Sequence, residues 1–88
     1  MKRWTQIFKA LANINRLKII RLLANARPMT VTDIAEEIEI SLKGTSKHLI
    51  LLHNLDVLTA TGKEGHVYYG YNDQVPADIK KILDIFLK

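Results

Sequence analysis

Lys43, Gly44, Ser46 and Lys47 are the residues of this chain whose types and spacing best support chemistry. On a helix, Lys43, Ser46, Lys47 and Ile50 fall on one face and Thr45, Leu49 and Leu52 on the opposite one. One side then packs, and the other presents two cations and a hydroxyl. Lysine donates to guanine O6 and N7, and serine serves a base or a phosphate. Gly44 and Ser46 are small, which permits close approach to another surface. A glycine early in a helix costs roughly 1 kcal/mol, and such an approach is one reason to carry it. An ordinary surface helix with two lysines gives the same pattern. Ile50 fits a thymine methyl, a contact with the neighbouring hairpin, or neither.

Other chemistries are poorly served. Cysteine is absent, which excludes disulfides, thiolate metal sites and thiol nucleophiles. His48, His53 and His66 have no metal-ligand spacing, and His48 and His53, five apart, do not stack on one helix face. Ser46 and His48 diverge by about 200° on a helix, so they make no nucleophile–base pair. No glycine-rich phosphate loop or paired-carboxylate motif appears. The expectation is a binding protein with no catalytic residues, no metal and no cofactor.

Several elements must position the Lys43–Lys47 stretch. Ser41 reads as the N-cap of its helix, which runs to about Leu55 with an apolar side of Leu42, Thr45, Leu49, Leu52 and Leu55. Thr30, with Asp33 three residues on, caps a shorter helix whose apolar face is Ile34, Ala35 and Ile38. Two short helices joined by a tight turn through Ile40 have the geometry of a helix-turn-helix, whose second helix lies in the major groove. Upstream, Trp4, Ile7, Phe8 and Leu11 recur at helical spacing. Asn13 then caps a second helix, with Leu17, Ile20 and Leu23 on one face, which Pro28 ends.

Downstream the period changes to two. Strands are predicted over 57–61 and 67–71, joined by a four-residue loop, Gly62 to Gly65. Lys63 and His66 sit at the tip. Pro76 opens a last helix with Ile79, Ile82, Leu83 and Phe86 at helical spacing. The order α-α-α-α-β-β-α describes a mainly α winged helix-turn-helix with a two-stranded β-hairpin wing, one domain over residues 1–88.

The charge is uneven. The chain carries a net +4, yet residues 1–30 hold seven cations and no acid, and the next twelve hold four acids. A basic block suits a polyanionic partner, although a solvated basic face gives the same count. Arg16, near the start of the second helix, is placed to hold a phosphate with help from the helix N-terminus. Lys63 at the wing is a phosphate contact that positions rather than specifies, with His66 beside it. No apolar run approaches the roughly 18 residues of a membrane span, and no secretory signal opens the chain, so a cytoplasmic location is expected.

Four pieces of sequence resemble one family. Residues Phe8 to Leu23 are similar to the opening of ArsR-like transcriptional regulators. Ile34-Ala35, and Ser41 to Leu55 with Ser46-Lys47-His48-Leu49 inside it, resemble that family's helix-turn-helix. Leu55-Asp56-Val57-Leu58 and Gly65-His66-Val67-Tyr68-Tyr69 resemble its wing. The resemblance spans about residues 4–72. It implies a homodimer that binds double-stranded DNA at a palindromic operator and often represses.

The same resemblance implies a dimer interface built from the first and last helices. Trp4, Ile7, Phe8 and Leu11, with Ile79, Ile82, Ile85 and Phe86, are the residues that would form it. The competing reading has both stripes filling the core of a monomer. Many relatives sense metal, but Thr30 and Thr32 stand where one such site has cysteines, and the last helix has Asp78 and Asp84 without a histidine. Hydroxyls do not replace soft thiolates. An effector or protein partner is left unidentified. The alternative to a DNA-binding regulator is a winged-helix protein-interaction module with little DNA affinity, which Ile50 and the acidic third helix favour.

Overall fold

Three polar side chains start three of the helices. In a computed structural model describing residues 1–88, the Asn13 side chain accepts from the backbone N–H groups of Asn15 and Arg16, Thr30 from that of Asp33, and Ser41 from that of Gly44. Each satisfies donors that a helix N-terminus leaves free, and each cap contributes about 1 kcal/mol. The elements are α1 (Lys2–Leu11), α2 (Ile14–Ala24), β1 (Met29–Thr30), α3 (Val31–Ile38), α4 (Leu42–Asn54), β2 (Leu58–Lys63), β3 (His66–Tyr71) and α5 (Ala77–Phe86). Pro76 is the residue just before α5. The expected order of helices and hairpin holds, with β1 added.

Every helix gives side chains to one core. Ile7 comes from α1, Ile19, Ile20 and Leu23 from α2, Ile34 from α3, Leu49 and Leu52 from α4, and Ile79 and Leu83 from α5. Val57, Leu58 and Val75 close it. Burying a side chain of this size contributes roughly 1.5–3 kcal/mol. Ile7 and Ile79, expected at an interface between copies, are instead sealed here, in the same core cluster as Ile19, Ile20 and Leu23 of α2. Leu42 also departs from expectation. It is 54% exposed, since it is the first residue of α4 and the buried face of that helix begins only at Thr45.

The sheet has three antiparallel strands in the order β1-β3-β2. Met29 and Thr30 pair with Tyr69 and Tyr68, a strand too short to show a period-two pattern in sequence. The hairpin is tighter than expected. Lys63 pairs with His66, so Gly62 and Lys63 belong to β2 and only Glu64 and Gly65 form the turn. Their φ values of 52° and 81° match a type I′ turn, which needs positive φ at both central residues. At the base, a Cβ on Gly70 would lie 3.1 Å from Pro28 Cγ and 3.2 Å from Thr59 Oγ1, so the chain leaving α2 crosses closely over β3.

Candidate nucleic-acid interface

The packing of α4 determines which of its side chains reach solvent. It lies against α2 and α3, with Thr45, Leu49 and Leu52 wholly buried. Thr45 Oγ1 donates to the Ser41 carbonyl at 2.8 Å, which lets a hydroxyl sit in the core without an unmet polar atom. The opposite face carries Lys43 and Lys47, both exposed, and Ser46 and Gly44, both half-buried. The ion pairs of the chain are Arg3–Asp78 and Lys80–Asp84, so neither lysine of α4 is neutralised within the molecule. Lys43, Ser46 and Lys47 also border a depression shared with Val31 and Thr32 at the start of α3. These are cations and small polar groups at a helix N-terminal half, with no acid among them.

Gly44 has a local reason besides close approach. A Cβ there would meet Ser41 Oγ at 3.1 Å, the same oxygen that caps α4. Glycine leaves that oxygen room.

Arg16 is held more firmly than the sequence suggests. Its Nη1 donates to the carbonyls of Lys9 and Ala10 at the end of α1, at 3.2 and 3.3 Å. Its Nε donates to Nδ1 of His48 at 3.1 Å. One guanidinium therefore ties α1 and α2 to the middle of α4. The bond requires His48 to keep Nδ1 unprotonated, which assigns its proton to Nε2. Burial, and then the Arg16 charge, hold the His48 pKa below its ordinary value of 6.5. No periodicity argument pairs residues thirty-two apart, so this link has no signature in the sequence.

Beside that tie, α1 and α4 flank an open groove of about 780 Å³. Lys9, Arg16 and Lys47 line it, together with Ile50, Leu51 and Leu55. Arg16 and Lys47 are thus brought together, and Lys9 joins them without having been singled out in sequence. Its only advance signal was membership of the basic N-terminal block. Lys63 and His66 lie apart from this cluster, as the last cross-strand pair of the hairpin, both exposed.

A second surface lies at the chain's two ends. Arg3 donates to both carboxylate oxygens of Asp78, at 2.7 and 3.1 Å, and so joins the start of α1 to the start of α5. The Arg3 guanidinium holds the Asp78 carboxyl below the usual carboxylate range. On these helices Trp4 stacks on Phe8 with ring centroids 5.7 Å apart. Phe8 is 57% exposed and Ile85 74%. Leu11, Ile82 and Phe86 are half-buried, and Arg21 sits 4.6 Å over the Phe86 ring. No group of three or more His, Cys, Asp or Glu is disposed to hold a metal ion. The Thr30 hydroxyl serves as the cap of α3. No helix is long and apolar enough to cross a membrane.

Comparison with known proteins bears on the fold and the family. The model of a family described as "Bacterial regulatory protein, arsR family" matches residues 13–60, from the α2 cap into β2. The chain is 38% identical over 72 residues to the transcriptional repressor SdpR of Bacillus subtilis (strain 168), covering 82% of this chain and 79% of that protein. It is 33% identical over 79 residues to the arsenical resistance operon repressor of Escherichia coli (strain K12), covering 90% of this chain and 68% of that one. In structure it resembles the homodimeric winged helix-turn-helix DNA-binding domain of a possible ArsR-family regulator from Mycobacterium bovis. That match has a TM-score of 0.77 at 26% identity, over 96% of this chain and 74% of that one.

Proposed function

The chain belongs to the ArsR family of bacterial regulatory proteins, and we propose that it is a cytoplasmic homodimeric repressor that reads a palindromic operator with α4. The observation that carries this reading is the outward face of α4, where Lys43, Ser46 and Lys47 stand without any internal ion pair, backed by a fully buried opposite face. In the complex Lys43, Ser46 and Lys47 meet base edges in the major groove, and Gly44 permits the approach. Lys63 and His66 touch the backbone. Arg16 acts on phosphate through Nη2, its other nitrogens being engaged within the fold.

Trp4, Phe8 and Ile85, with Leu11, Ile82 and Phe86 beside them, form the surface that meets a second copy. Their exposure supports this, and so does the homodimeric state of the Mycobacterium bovis relative. The signal is not a metal ion held by the cysteine or histidine sets of the resemblance, since Thr30 and Thr32 stand at the cysteine positions and the last helix has no histidine. Residues 1–88 act as one domain.

The test is selection from a randomised duplex pool at about 150 mM salt, where non-specific binding is already weak. A palindrome with half-sites about 34 Å apart is the expected product. A folded protein that enriches nothing would instead favour the protein-interaction module, for which half-exposed Ile50 is the supporting observation.

A further inference from the structure

The groove between α1 and α4 joins two properties that a recognition surface for DNA alone does not need. Its volume of about 780 Å³ lies in the range of small-molecule sites, roughly 300–1,000 Å³. Three cations from three helices line it, Lys9, Arg16 and Lys47, and no acid does. Ile50, Leu51 and Leu55 give it an apolar wall. Ile50, exposed on an otherwise polar stripe of α4, has its place in that wall. From this charge and shape we infer that the groove binds a small amphiphilic carboxylate, and that its occupant competes with DNA.

In the bound state the apolar body lies along Ile50, Leu51 and Leu55, and the carboxylate faces Lys9, Arg16 and Lys47. Arg16 is already fixed by the Lys9 and Ala10 carbonyls and by His48. It therefore loses little side-chain freedom on binding, which favours affinity. Opposite charges in a partly apolar groove attract more strongly than in open water. A neutral analogue forfeits that attraction, and a cationic one meets three like charges. Lys47 and Ile50 belong to both the groove and the DNA-facing side of α4, so ligand and duplex exclude each other there. The competition rests on the proposed DNA-binding function; the binding of the carboxylate does not.

The experiment titrates the isotopically labelled protein with decanoate, decanol, decyltrimethylammonium and inorganic phosphate, each followed by amide NMR shifts. Decanoate is expected to shift Lys9, Lys47, Ile50 and Leu51 saturably, about tenfold or more tighter than the other three probes. Asn54→Glu, which adds an acid to the groove lining, should weaken decanoate by a similar factor, and Asn54→Gln should not. Three results overturn the site: equal binding of decanol or of the cationic probe, phosphate as tight as decanoate, or shifts centred on Trp4, Phe8 and Ile85. Saturating decanoate should also raise the apparent Kd for the selected duplex, and an unchanged Kd overturns the competition. If the protein enriches no duplex, the NMR titration still decides whether the groove binds the carboxylate.

Discussion

Nε of Arg16 donates to Nδ1 of His48 at 3.1 Å and so links the start of α2 to the middle of α4. The bond exists only while His48 is neutral. Burial and the Arg16 charge already favour that state in the folded protein. The unfolded chain protonates near 6.5 and the folded one only at lower pH. The stability this provides is therefore complete above 6.5 and declines as pH falls through the window below it. Wild type should lose thermal stability as pH falls below 6.5, and His48→Asn, whose Oδ1 can replace Nδ1 as acceptor, should lose less. Identical pH profiles for the two proteins would remove His48 from the account.

The lysines of α4 and of the wing should fail differently. Lys47→Ala should weaken the selected site more than random duplex, by a discrimination of roughly 1–3 kcal/mol. Lys63→Ala should weaken all sequences alike. With three or four phosphates met per copy, a dimer should show a log K against log salt slope of about −5 to −7, and Lys63→Ala should flatten it by about two. A Lys63 effect confined to one sequence would contradict its phosphate role.

Gly44 separates folding from approach. Alanine there gains up to about 1 kcal/mol of helix propensity. Its Cβ crowds Ser41 Oγ at 3.1 Å, and disturbing that cap costs about as much. Gly44→Ala should therefore melt close to wild type while binding the operator less tightly. Unchanged affinity in gel-shift titrations would leave the cap as the whole reason for the glycine.

Ile85 tests the surface between copies. It is 74% exposed, so Ile85→Lys should leave the protomer fold within about 0.5 kcal/mol of wild type. Sedimentation should show a monomer with reduced operator affinity. A variant that sediments like wild type would move the interface elsewhere.

What the sequence disclosed was mostly local. Asn13, Thr30 and Ser41 announced three helix starts, because a cap acts within three residues of its own position. The α4 face was legible because periodicity alone separates Lys43 and Lys47 from Leu49 and Leu52. What failed to show depends on partners far along the chain. Arg16 looks free in sequence, yet it is engaged by residues on α1 and α4. Ile7 and Ile79 belong to apolar stripes that serve both core and surface, and only packing decides which edge faces inward. β1 has two residues and therefore no pattern. The strands extend past their predicted ends because the exposed Gly62 and Lys63 carry no alternation, although they are paired.

The sheet is three strands wide only at its root. β1 reaches Tyr68 and Tyr69, and the chain at Pro28 presses on Gly70, so that end is clamped on both sides. From Gly62 to Val67 the hairpin is a bare two-stranded ribbon, a form that holds marginally by itself. The wing is in effect a cantilever, stiff where it leaves the body and compliant at Lys63. Amide exchange should quicken along it from Tyr69 outward. A lysine on such an arm can follow a phosphate as the width of a groove changes, while α4, fixed in the core, cannot shift. On the proposed docking, operator selection should therefore be strict at the bases under α4 and permissive in the flanks.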